Sequence, residues 1–110
     1  MPRFVVFFAY KPETWARLVD QPGDRTAAVR ATAEAAGGRL EALYWMTGGQ
    51  DGLVILEAPD AETALAVGVT SMSSGAIEHV ATHQLLDQDQ LLAVLGTARR
   101  VRDTFRPPGT

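Results

Sequence analysis

Two periods of apolar positions run through this chain, one of two residues and one close to about 3.6, and their order predicts the elements. Arg3 to Tyr10 is apolar on both faces through Phe4, Val5, Val6, Phe7, Phe8 and Ala9, as a strand covered on both sides would be. Pro12 to Val19 places Trp15 and Leu18 at helical spacing and predicts one or two helical turns, broken by Asp20-Gln21-Pro22-Gly23. Asp24 is a good N-cap, because its carboxylate can accept from the free amides of a first turn. The helix it starts runs to about Ala36, with Val29, Ala33 and Ala36 on one stripe and Gly37 as its stop.

The pattern then changes to strands. Leu40 to Met46 and Leu53 to Ala58 are short aliphatic and aromatic runs bounded by Gly37-Gly38, Gly48-Gly49 and Pro59. Gly48-Gly49-Gln50-Asp51-Gly52 can reverse the chain between them. Strict alternation puts Leu40, Ala42, Tyr44 and Met46, with Val54, Leu56 and Ala58, on a face packed by helices. It puts Arg39, Glu41, Leu43 and Trp45, with Leu53, Ile55 and Glu57, on the opposite face. That second set is too apolar for water and too charged for a sealed core.

Beyond the hairpin, Asp60 caps another helix whose buried side is expected to be Leu65, Val69 and Met72, with Gly68 permitting close approach. Ser73-Ser74-Gly75 ends it, and Ile77 to Leu86 reads as a fourth strand. Asp87 and Asp89 can cap a last helix with an apolar stripe of Leu91, Val94, Leu95, Ala98 and Val101. Arg99, Arg100 and Arg102 sit near its C-terminal end, where the helix dipole favours cations. Residues 105–110 read as an extended tail.

Strand, helix, strand, strand, helix, strand and a further helix is the split β-α-β, ferredoxin-like order. The expected fold is α+β: a four-stranded antiparallel sheet in order 4-1-3-2 with helices on one face. Residues 1–86 form this domain, and residues 87–104 form a helix packing on it or on a partner subunit. A bare, partly apolar sheet face is an association surface, and a symmetric homodimer closes it most simply.

Composition narrows the partners. A chain of 110 residues suits one domain, and 46% hydrophobic with 21% charged residues suits a globular one. A net charge of −3 argues against general nucleic-acid binding. The chain has no cysteine, hence no disulfide and no thiolate metal site. The apolar run at the start is too short for a membrane span, so no membrane is expected and the cytoplasm is the default location.

Gly37-Gly38-x-Leu40, Tyr44-Trp45, Gly48-Gly49-Gln50-Asp51 and Glu57-Ala58-Pro59-Asp60 together resemble the GYD-domain family of the dimeric α/β-barrel superfamily. The resemblance covers roughly residues 3 to 86, and Tyr10 and Arg25 fall where the family often has those types. Gln50 stands where the family's Gly-x-Tyr-Asp motif has its tyrosine. The resemblance implies the fold and a dimer but no single activity, since the wider superfamily includes cofactor-independent monooxygenases, polyketide cyclases, isomerases, haem-binding proteins and ligand-sensing domains.

Antiparallel topology brings Tyr10, Trp45, Asp51 and His79 to one end of the sheet, and Arg3, Arg39, Glu57 and His83 to the other. At the first end His79 is a candidate proton carrier, Asp51 could fix its tautomer, and Tyr10 could hydrogen-bond a developing enolate oxygen. Trp45 offers a flat wall for an aromatic ring, with Leu53, Ile55, His83 and Glu57 as further substrate contacts. The plain structural reading is that Trp45 fills an interface, Tyr10 ends a strand and Asp51 satisfies turn amides, while Glu57 pairs with Arg3 or Arg39. No metal site is expected, because His79 and His83 on one strand lie roughly 13 Å apart at about 3.3 Å per residue. No phosphate loop is present, since the Gly-Gly turn leads into a strand.

Two function classes follow. One is a homodimeric, cofactor-free enzyme using acid/base chemistry on an aromatic or polyketide-like molecule, as a cyclase, isomerase or monooxygenase. The other is a non-catalytic dimeric ligand-binding or regulatory module.

Overall fold

The computed structural model describes residues 1–110. In chain order the elements are β1 (Arg3–Tyr10), α1 (Pro12–Asp20), α2 (Thr26–Ala35), β2 (Arg39–Trp45), β3 (Gly52–Glu57), α3 (Ala61–Ser73), β4 (Ile77–Leu85) and α4 (Gln88–Val101), followed by a 3-10 turn over Arg102–Thr104. The strands form one antiparallel sheet in the order β2-β3-β1-β4, the expected ferredoxin-like arrangement. Gly37 and Asp60 act where the sequence places them, whereas Asp24 stands one residue before the N-cap of α2, which is Arg25, and bonds the first helical amide instead. Asp24 Oδ1 accepts from Thr26 N at 2.8 Å, Gly37 takes φ 80° after α2, and Asp60 Oδ1 accepts from Thr63 N at 2.8 Å.

The core lies between the sheet and α2 and α3. Phe4, Val6 and Phe8 of β1, Val54 and Leu56 of β3, Leu40 of β2, and Ala33, Ala58 and Ala64 form one buried cluster. Leu56 is its most enclosed large side chain, 1% exposed.

A β-bulge corrects the strict alternation expected for β2. Leu40 pairs with Leu56, but Ala42 pairs with Ile55, so Glu41 is an extra residue with no partner of its own on β3. One inserted residue exchanges the faces of everything after it. Leu43 and Trp45 therefore stand opposite Val54 and Gly52 on the helix-covered side, while Ala42 and Tyr44 stand opposite Ile55 and Leu53 on the open side. Trp45 leaves the open face to which alternation assigned it, and Tyr44 takes its place.

The buried side of α3 is likewise not the expected one. Ala64 and Gly68 are buried, whereas Leu65, Val69 and Met72 are exposed. A Cβ on Gly68 would come within 2.8 Å of Val80 Cγ1, so the helix backbone rides directly on β4. Such an approach admits only small side chains between helix and sheet, and the larger ones turn outward.

The open face of the sheet carries Val5, Phe7 and Ala9 of β1, Leu53 and Ile55 of β3, Ala42 and Tyr44 of β2, and His79, Ala81 and His83 of β4. The chain's own last helix does not roof it. A capping box between Asp87 and Gln90 forms α4 well, yet none of its residues is buried, and Leu91, Leu92, Val94, Leu95 and Val101 are all exposed. The Cα radius of gyration is 17.6 Å, against about 13 Å for a compact chain of this length. The helix is an arm.

Candidate functional site

A cleft of about 550 Å³ lies between sheet and helices. It exists because α2 packs toward β2 while α3 packs toward β4, leaving a gap between the two helices over the middle of the sheet. Val6, Phe8, Val54 and Leu56 form its apolar floor. Ala28, Val29, Thr32 and Ala33 of α2 make one wall, and Val67, Thr70 and Ser71 of α3 make the other. Thr14, Arg17 and Leu18 of α1 close one end, with Gln21 just past the helix and Arg25 beside them.

Local chemistry fixes α1 at that end. Thr14, 8% exposed, donates its hydroxyl to Ala76 O at 2.6 Å, and the Lys11 amide donates to the same carbonyl at 3.1 Å. Arg17 Nη2 then donates to Thr14 Oγ1 at 3.4 Å. Several other wall hydroxyls are turned onto their own helices: Thr32 to Ala28 O, Ser71 to Val67 O and Ser74 to Ser71 O.

Next to the cleft is an aromatic cluster. Tyr10 packs on Phe8, Trp15 and Trp45, with ring centroids 5.5, 5.4 and 5.8 Å away. Trp15 and Trp45 are 6.2 Å apart. Asp51 ties the cluster down: its Oδ2 accepts from Tyr10 N at 2.8 Å and Trp15 Nε1 at 3.1 Å, and its own amide donates to Phe8 O at 2.9 Å. The register of β1 on β4 shifts between Ala9 and Tyr10, and the Asp51 carboxylate supplies the acceptor for the Tyr10 amide. Trp15, Trp45 and Asp51 border a shallower hollow of about 360 Å³ that shares Leu18 and Arg25 with the cleft.

The structure thus brings Tyr10, Trp45 and Asp51 together and sets His79 apart. His79 pairs with Ala9 on the open face, where Gln50 Nε2 lies 3.5 Å from its Nδ1. Gln50, and not Asp51, is the side chain at the imidazole. Gln50 Oε1 is buried without a hydrogen-bond partner. Leu53, Ile55 and His83 are also on the open face, with the His83 ring 5.9 Å from Phe7, edge-on. At the far end Glu57 pairs with Arg39 at 3.4 Å, and Arg3 Nε donates to Glu41 Oε1 at 2.8 Å. The hydrogen bond and charge of Glu41 raise the Arg3 pKa further.

Sequence reasoning missed Arg17 and Thr14 as site residues and took Trp15 only as a helix position. The available signal was weak: Arg17 and Arg25 flank the Asp20-Gln21-Pro22-Gly23 break, so both fall at the junction of two helices.

Fold and cleft together define a small α+β protein of the split β-α-β type with an extended C-terminal helix. The sequence model of the GYD domain matches residues 4–95, and the chain belongs to the GYD domain family. Among solved structures it is similar to TTHA0845 from Thermus thermophilus, with a TM-score of 0.51 and 16% identity over 79% of this chain and 95% of that one. At that identity the likeness shows the fold. No curated protein matches the chain.

Proposed function

We propose that this protein is a homodimeric small-molecule-binding module, holding an organic ligand in the cleft between its sheet and its helices. The observation that carries the reading is the cleft itself. About 550 Å³ is within the usual range of small-molecule sites, and an apolar floor under a polar mouth is their usual lining. The acid/base alternative loses support from the geometry, because His79 is across the sheet from the cleft. Dimerisation is supported by the open face, where Phe7, Leu53, Ile55 and Tyr44 form an apolar layer with no cover, and α4 adds a stripe that would lie along the partner subunit.

The test uses N-phenyl-1-naphthylamine, a neutral dye that brightens in apolar sites. Saturable binding is expected, and it should be lost in the double variant Ala28→Trp/Thr70→Trp, which fills the cleft from both walls. Binding that ignores those indoles, in a variant with unchanged circular dichroism, would defeat the cleft assignment. Sedimentation of the wild type should give a dimer, and Ile55→Glu a folded monomer. A wild type that stays monomeric at high concentration would end the dimer half of the proposal.

A further inference from the structure

Charge in the cleft is distributed against the trend of the whole chain. The protein carries a net charge of −3, yet none of the 21 residues lining the cleft is Asp or Glu, and two are arginines. Neither Arg17 nor Arg25 forms an ion pair, although Glu13 and Asp20 lie within a turn of Arg17 and Asp24 adjoins Arg25. The chain's ion pairs are elsewhere, at Arg3, Arg39 and Arg102. Arg25 also borders the neighbouring hollow lined by Asp24 and Asp51, yet neither carboxylate pairs with it, and within the cleft itself the two guanidinium groups meet no carboxylate, which leaves a demand for negative charge there.

Free donors line the same cleft. Wall hydroxyls of Thr32, Ser71 and Ser74 are committed to helix carbonyls, whereas Arg25, the Gln21 amide and the Thr70 hydroxyl make no side-chain hydrogen bond within the chain. Arg17 is steadied rather than neutralised: its only side-chain partner is the Thr14 hydroxyl, itself anchored on Ala76 O. Arg17 belongs to the last turn of α1 and Arg25 is the residue before α2, so two helix ends hold the pair across a short connection.

From this we infer that the cleft selects an amphipathic organic anion: an apolar body over Phe8, Val54 and Leu56, and a single carboxylate or comparable anionic group at Arg17 and Arg25. The inference rests on the cleft being a ligand site and adds the class of ligand. Guanidinium groups bind carboxylates through paired, charge-assisted hydrogen bonds, stronger than neutral ones. A neutral relative of the same shape gains the floor but not the mouth. A polyanion gains the mouth but has nothing to place over the floor.

The experiment compares 1-anilinonaphthalene-8-sulfonate with N-phenyl-1-naphthylamine, which share an aromatic body and differ by the sulfonate. The anionic dye should bind at least about tenfold more tightly at low salt, as two charge-assisted contacts would give. The advantage should shrink as salt rises. It should vanish in Arg17→Gln/Arg25→Gln and persist in Arg30→Gln, which alters an arginine of α2 outside the cleft. Equal affinities for the two dyes, or an advantage that survives Arg17→Gln/Arg25→Gln, overturns the anion inference while leaving the cleft as a ligand site. Failure of both dyes to bind, or binding of both that Ala28→Trp/Thr70→Trp does not weaken, overturns the cleft reading and this inference together.

Discussion

The two faces of the one sheet differ in what covers them, and the chemistry divides along the same line. On the covered face Phe4, Val6, Phe8, Val54 and Leu56 lie under helices, and the gap between those helices is a cleft with two unpaired arginines. On the open face Phe7, Leu53, Ile55 and Tyr44 meet no helix, and both imidazoles of the chain are there. Neighbours in sequence thus serve different surfaces: Val54 and Leu56 form a floor, while Leu53 and Ile55 form an outer wall. Proximity along the chain, or at one end of a sheet, does not place two side chains in one site. The face does.

The sharpest way to break this comparison is to truncate one residue on each face. Leu56→Ala should cost about 3 kcal/mol, since the side chain is 1% exposed and its truncation removes buried apolar contacts in the core. Ile55→Ala, half-buried on the other side of the same strand, should cost about half as much by chemical denaturation of the monomer. If a second copy closes the open face, wild-type Tm rises with protein concentration and Ile55→Ala flattens that rise. Equal losses for the two variants, with no concentration dependence in either, would erase the distinction between the faces.

Asp51→Ala tests the joint at the aromatic end. It leaves the Tyr10 amide without its acceptor and frees the Trp15 indole, at a cost of about 1 to 2 kcal/mol. Tryptophan emission should shift to the red as Trp15 and Trp45 lose their packing. Asp51→Asn keeps one acceptor oxygen and should recover part of the loss. A variant as stable as the wild type would mean that the carboxylate holds nothing together.

The sequence makes the element order, the strand order and the caps legible, because each is signalled by local chemistry: apolar β1, Asp24 and Asp60 before helices, Gly37 after one. Which side chains face which way is much less legible. Leu40-Glu41-Ala42-Leu43-Tyr44-Trp45 has an apolar residue on both faces whichever alternation is chosen, so hydropathy cannot reveal the bulge at Glu41. In α3 the run from Ala64 to Val69 is apolar at every position, and the choice falls to packing: Gly68 lets the backbone down onto Val80, and the bulky Leu65, Val69 and Met72 are left outside. The stripe on α4 is plain in the sequence, but its partner is not in the chain. The cleft was the least visible feature, since it arises from the spacing between two helices.

Removing the inserted residue sharpens the account of β2. Deleting Glu41 should restore a regular ladder in which Leu43 and Trp45 still face the helices, because the extra residue itself is what leaves. The Arg3 ion pair is lost, and Tm should fall by only a few degrees. Tryptophan emission should stay where it is in the wild type. A strong red shift would mean that Trp45 had turned to the open face and that Glu41 was not the bulged position.

The smallest effect belongs to the cap of α3, the helix that rides closest to the sheet. Asp60 Oδ1 accepts from both Thr63 N and Thr63 Oγ1, at 2.8 and 2.7 Å, and these bonds, the hydroxyl's first and the amide's second, hold its pKa below the ordinary 3.8. A carboxyl whose pKa is lower in the folded than in the unfolded chain stabilises the fold above its ordinary value, and that contribution disappears as pH falls through the folded one. Asp60→Ala should therefore lower Tm by a few degrees at neutral pH and by progressively less on acidification below about 3.8, the gap narrowing in strong acid to what a neutral capping group still contributes. Asp60→Asn can still accept from the Thr63 amide, so it should retain most of the neutral-pH stability and lack the acid dependence. If the Tm gap between wild type and Asp60→Ala stays constant from neutral pH into strong acid, the charge of Asp60 contributes nothing to holding α3 against the covered face.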